Sequence, residues 1–190
     1  MSLFFKRIMD IIFSLFGIFA VLPFFIALAI AIKIDSNGPI FYIHKRVGLN
    51  GKEFDCFKFR SMYIGSIDNV LVSDSNDSRV TKVGCLMRKT SFDETPQLIN
   101  VLIGDMSIVG PRPALPSQVK EFIGNEKDKL LVKPGLTGWT QVNGRNSIPY
   151  KKRLELDCWY AKNWNLWLDI KIILKTLFVV FKQEGIYDVK

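Results

Sequence analysis

The 190 residues contain one histidine, His44, and three cysteines, Cys56, Cys85 and Cys158. The cysteines are odd in number, far apart and without paired metal spacing, which argues against a disulfide framework or a zinc site and fits a reducing, cytoplasmic setting. Also missing are a Gly-x-Ser-x-Gly elbow, a Walker-type loop and any internal repeat, so serine-hydrolase and P-loop readings fail. A lone histidine in a basic segment reads as structural or surface. Charge is lacking in one place only: residues 11–32 carry no ionisable acid or base.

That run of 22 residues could just cross a hydrocarbon core of roughly 30 Å as a straight helix. Pro23, near its middle, removes a backbone donor and crowds the preceding turn, so a kink or a break into two short halves is expected. Lys6 and Arg7 precede the run and Lys33, Lys45 and Arg46 follow it. With bases on both flanks the positive-inside rule chooses no orientation. A spanning helix with a kink and a helix that dips in and leaves on the same face both remain open. The run is too long for the apolar core of a signal peptide.

Elsewhere charge is plentiful, and the formal net charge of +8 points to phosphates, acidic lipid or nucleic acid. Trp139, Trp159, Trp164 and Trp167 form no stacking-platform motif, and an apolar anchor argues against nucleic acid. Residues 40–45 and 53–59 are β-prone and flank Asn50-Gly51, which predicts a hairpin. Its second strand would place Lys58 and Arg60 on one face. Residues 64–79, rich in Ser, Asp and Asn, read as a loop.

From Asp93 to Ile103 apolar residues recur at helical spacing, with Ser91 available as N-cap and acids in the first turn. The loop at 104–113 carries Arg112 between two prolines, which would hold it rigidly. A second Gly/Pro-rich stretch at 133–145 has the polar and aromatic content of a binding loop. Residues 166–182 form an amphipathic helix with Lys171, Lys175 and Lys182 on one face, suited to a membrane interface or to the core.

The chemistry gathers at Arg88-Lys89-Thr90-Ser91-Phe92-Asp93-Glu94. Acids at a helix start are often simple dipole partners. Two adjacent carboxylates about 100° apart could instead divide labour, one facing a phosphorus and the other a divalent metal such as Mg2+. Arg88 and Arg112 would then neutralise phosphoryl oxygens.

Several motifs in order carry a family resemblance: Lys33-Ile34-Asp35-Ser36 leading to Gly38-Pro39-Ile40-Phe41, Arg46-Val47-Gly48, Phe57-Lys58-Phe59-Arg60-Ser61-Met62, Arg79-Val80-Thr81-Lys82-Val83-Gly84, and the stretches 88–113 and 134–145. On these the chain resembles the bacterial sugar transferases, the monotopic polyprenyl phosphate phosphoglycosyl transferases. Leu22 stands before Pro23 where many relatives carry serine, and Phe92 precedes Asp93 where many carry leucine.

The resemblance implies an α+β, mostly helical fold: a re-entrant, Pro-broken membrane helix over 1–36 and a cytoplasmic-face catalytic domain over 37–190, with a β-hairpin and interfacial amphipathic helices. The chain would be a minimal catalytic form on the inner leaflet of the bacterial cytoplasmic membrane. Asp93 would be the nucleophile that takes a phosphosugar from a UDP-sugar, releases UMP and passes its load to polyprenyl phosphate. By the same resemblance Glu94 binds Mg2+, Arg88 and Arg112 contact phosphate, Asp157 is a supporting acid, and Lys58, Gln141 and Arg145 bind substrate. Downstream glycosyltransferases would be partners. The reading from another class is a catalytically idle membrane-surface module of a glycan-assembly system.

Overall fold

The computed structural model describes residues 2–66, 77–144 and 147–182, the last with side chains to residue 179. Arg145, the side chain of Lys182 and most of the expected 64–79 loop lie outside the described residues.

Helix α1 (Ser2–Asp35) is helical throughout, with Pro23 inside it. The sequence leads one to expect a kink or a break at Pro23; the helix runs on through the proline, and packing holds the part beyond it. Phe25, Leu28 and Ile32 sit against Phe59 and Met87, and Phe24 meets Phe92. The most apolar stretch of α1 is largely uncovered, with 6% of it buried.

Both ends of α1 are fastened to the rest of the chain. Near the start, Lys6 Nζ donates to Asp169 at 2.5 Å and to the Val109 carbonyl at 2.9 Å, and Asp10 accepts from Ser107 Oγ and the Ile108 amide. Arg7 donates to the Val101 and Leu102 carbonyls that close helix α3 (Gln97–Ile103). Lys6 is thus buried and paired rather than a free flanking charge. At the far end, Asp35 accepts from the Val83 amide in the first turn of α2 (Lys82–Thr90), where Thr81 also caps through the Gly84 amide.

The expected hairpin forms from β1 (Phe41–Val47) and β2 (Glu53–Phe59), antiparallel with Phe41 opposite Phe59. Its tip places Asn50 and Gly51 at φ 55° and 78°, which asparagine and glycine tolerate best. Lys58 and Arg60 do not work as one cationic face. Arg60 is buried and donates to the Ile32, Ser36 and Asn37 carbonyls at the end of α1, whereas Lys58 turns to Glu94.

The two Gly/Pro-rich loops meet each other. Strand β3 (Ser107–Val109) runs parallel to β4 (Gly135–Thr137). A Cβ on Gly135 would lie 2.0 Å from the Gly110 amide nitrogen, and one on Gly138 would lie 2.1 Å from the Gly110 carbonyl oxygen. These glycines therefore serve close backbone crossing. Helices α4 (Pro116–Glu121) and α5 (Tyr150–Asn163) and the 3-10 segment Gly124–Leu131 pack around Ala114, Phe122 and Leu154.

Helix α6 (Leu166–Lys182) answers the choice between core and surface with two faces. Leu168, Asp169 and Ile172 are buried, while Trp167, Leu174, Leu177 and Phe178 are exposed. Lys171 and Lys175 lie over the Trp139 ring at 5.8 and 5.2 Å.

Candidate active site

Asp93 and Glu94 occupy a 3-10 turn (Phe92–Glu94) rather than the opening of the α-helix expected over 93–103. Pro96 lacks an amide hydrogen, so α3 proper begins only at Gln97. Ser91 stands at the N-cap position of that turn, but its side chain makes no capping bond there; it also closes α2 in a left-handed conformation, φ 59°. The sharp reversal between α2 and the 3-10 turn sets Asp93 into the protein, 8% exposed.

The neighbours come from three segments. Lys58 Nζ reaches Glu94 Oε1 at 2.6 Å from β2, and Arg112 Nη2 reaches the same oxygen at 2.8 Å from the proline-bracketed loop. Glu94 Oε2 has only a long 3.4 Å contact with Arg112 Nη1. Arg88, in the last turn of α2, donates from Nε to Ser61 Oγ at 2.9 Å and acts electrostatically on Asp93. Asp93, Glu94, Lys58, Arg88 and Arg112 are therefore brought together, as the sequence leads one to expect.

The two carboxyls are driven in opposite directions. Burial raises the Asp93 pKa above its ordinary value, against the pull of Lys58, and the adjacent Glu94 charge adds to the rise. Burial alone would raise Glu94 as well, but Arg112 and Lys58 together hold it well below the usual carboxylate range. A neighbouring pair split in this way leaves one basic, poorly hydrated carboxyl beside one firmly ionised group.

Three further residues fall differently. Asp157 is buried, with Lys129 Nζ at 2.8 Å and Thr140 Oγ1 at 2.5 Å; no described hydrogen bond or ion pair joins it to Asp93 or Glu94. Its partner Lys129 lines a small hollow with Arg112, Val47 and Gly48, a hollow that neither Asp93 nor Glu94 lines. Gln141 brings its amide beside Gly138, with both polar atoms buried and unpartnered among the described residues. Arg145 lies outside the described residues.

Sequence reasoning gave no role to Arg46 or Lys129 and read His44 as structural or surface. His44 and Arg46 alternate along β1 with Tyr42, which pairs with Lys58 across the hairpin. That shared strand face was the signal available. His44 accepts from Arg46 Nε through Nε2 at 2.7 Å and stacks on Tyr42.

A family model described as bacterial sugar transferase matches residues 1–183. A UDP-galactose-lipid carrier transferase of Erwinia amylovora is 42% identical across 98% of this chain and 42% of its own length. An undecaprenyl-phosphate galactose phosphotransferase of Salmonella typhimurium is 43% identical across 98% of this chain and 42% of its own length. An uncharacterized sugar transferase, EpsL of Bacillus subtilis, is 42% identical across 95% of this chain and 89% of its own. The chain spans less than half the length of the first two relatives and most of the third.

Proposed function

We propose that this chain, which belongs to the bacterial sugar transferase family, moves a sugar 1-phosphate from a UDP-sugar to polyprenyl phosphate and so begins the synthesis of a surface glycan that downstream glycosyltransferases extend. The observation that carries the reading is the split pair Asp93 and Glu94, ringed by Lys58, Arg88 and Arg112. An ionised Asp93 oxygen attacks the sugar-bearing phosphorus. The new O–P bond forms as the P–O bond to UMP breaks, and UMP leaves with the electron pair. Polyprenyl phosphate oxygen then attacks the same phosphorus and frees the carboxylate. Lys58, Arg88 and Arg112 balance charge on the phosphoryl oxygens. Gln141 and Arg145 are proposed contacts to the nucleotide sugar, and Asp157 supports the site through Lys129.

Mg2+ is the proposed cofactor. Among the described residues no group of three potential ligand side chains converges, but Mg2+ characteristically takes one or two carboxylates with substrate phosphates and water. Glu94 Oε2, the oxygen with only the 3.4 Å contact, is the atom that fits this role. When bound, Mg2+ would neutralise diphosphate charge and favour UMP as leaving group.

The lipid substrate keeps its tail in the bilayer, so the site must sit at the membrane surface. We propose that α1 is re-entrant in the inner leaflet, with the domain on the cytoplasmic face. Support comes from its two ends, since Lys6 and Asp10 at one and Asp35 at the other bond to the same body of the protein. A helix crossing a bilayer would carry one of those ends to the opposite side. Labelling of single cysteines placed at residues 2 and 36 should find both on the cytoplasmic side; opposite sidedness would refute re-entry.

The deciding experiment measures UMP release from a panel of UDP-sugars by the full chain with polyprenyl phosphate and Mg2+, beside Asp93→Asn. Donor-dependent release that vanishes in the variant is expected. Persistent release would remove Asp93 as nucleophile, and no release with any donor would favour an idle membrane-surface module.

A further inference from the structure

Arg46 is a half-buried guanidinium beside the site, with no carboxylate partner among the described residues. Its Nε donates to His44 Nε2 at 2.7 Å and its Nη1 to the Pro113 carbonyl oxygen at 3.2 Å. Both acceptors are neutral, and among the described residues Arg46 joins no ion pair. Burial lowers its pKa, and repulsion from Arg112 adds to this more than the attraction of Glu94 opposes it. A guanidinium stays charged even so, and holding it buried against another cation is unfavourable unless an anion arrives.

The local charge count defines that anion. Lys58, Arg88, Arg112 and Arg46 are four cations, and Asp93 and Glu94 are two carboxylates. The side chains alone leave an excess of positive charge, which an anion such as the diphosphate of a nucleotide sugar would balance. The Pro113 carbonyl that receives Nη1 directly follows Arg112 in the chain, so Arg46 also pins the loop that carries Arg112.

His44 holds Arg46 in place. Because Nε2 accepts the Arg46 hydrogen, the ring proton lies on Nδ1. Burial, reinforced by Arg46 and Lys58, pushes the His44 pKa down to about 3, so the ring stays a neutral acceptor at working pH. Stacking on Tyr42, with ring centroids 5.2 Å apart, fixes its plane.

We infer that Arg46, oriented by His44 and the Pro113 carbonyl, is a further phosphate-binding residue that takes the diphosphate of the nucleotide sugar. The substrate class rests on the function proposed above; the role of Arg46 and the positioning role of His44 rest on the hydrogen bonds and the charge count.

The test is UDP affinity, measured by calorimetry on the full chain in nanodiscs with Mg2+. Arg46→Gln should weaken UDP binding about tenfold or more, with Arg46→Lys intermediate because it keeps charge but not the fork. The salt dependence of binding should become shallower, and the melting temperature should hold or rise, since a buried unpaired cation has been removed. His44→Leu should lose several-fold affinity, and His44→Gln, whose amide oxygen can accept from Nε, should restore most of it. UDP binding by Arg46→Gln equal to wild type would overturn the inference. Should that variant fail to fold, equal affinities in His44→Leu and His44→Gln would overturn it instead. A wild-type chain that binds no UDP would refute the proposed function itself, so the two failures are distinguishable.

Discussion

Phe92, the residue before Asp93, lays its ring against Phe24 of α1 with centroids 6.0 Å apart. The turn bearing the proposed nucleophile is thus fastened to the apolar helix one residue beyond Pro23. The proposed chemistry and the apolar helix share a contact, which suits the proposed transfer between a water-borne and a lipid-borne substrate.

If that contact sets the depth of Asp93, Phe24→Ala should impair transfer to polyprenyl phosphate more than the first step. We expect the single-turnover burst of UMP to persist and the second step to slow by about tenfold, as small misplacements of reacting groups do. Equal slowing of both steps would assign the contact to general stability.

The raised pKa of Asp93 has a thermodynamic sign. A carboxyl that holds its proton more tightly when folded contributes stability below its unfolded pKa and loses it as pH rises through the raised folded value. Asp93→Asn escapes that loss. At neutral pH it should abolish UMP release yet gain on the order of 1 kcal/mol, a melting temperature about 2–4 °C higher. A lower melting temperature would mean that ionised Asp93 is favourably compensated.

Glu94 has the opposite sign. Its depressed pKa contributes stability above the ordinary carboxylate value, lost as pH falls through the folded one. Glu94→Gln should therefore destabilise at neutral pH by about 1–3 kcal/mol, leaving Lys58 and Arg112 without their anion. Denaturation curves should converge with wild type in strong acid; a constant gap at all pH values would argue for a packing defect.

Lys6→Met would strand Asp169, which is fully buried and also accepts from Tyr160 and Trp164. Removal of one member of a buried pair costs about 3–5 kcal/mol, and urea unfolding in micelles should show a loss of that size. A loss under about 1 kcal/mol would mean that water reaches the pair.

The hairpin, the apolar helix and the acid pair were legible because each is written in neighbouring residues: Asn50-Gly51 between β-prone runs, an uncharged stretch, Asp93 beside Glu94. What could not be read depended on residues distant in the chain. Ser91 resembles an N-cap until the reversal after α2 requires a left-handed residue there. Arg60 looks like a companion of Lys58 until the end of α1 arrives with three carbonyls. The stretch holding Gly135 and Gly138 reads as a binding loop, yet the pairing of β3 with β4 brings both glycines against the backbone of Gly110. Lys171 and Lys175 suggest headgroup contacts, and it takes the folded Trp139 to show where they lie.

The double fastening of α1 also bears on how the protein can be handled. Cutting away the first 36 residues would leave Asp169 without its ammonium, Arg60 without two of its three carbonyls, and Phe59 and Met87 open to solvent. A truncation without α1 is therefore not a smaller version of the folded chain but an unfinished one.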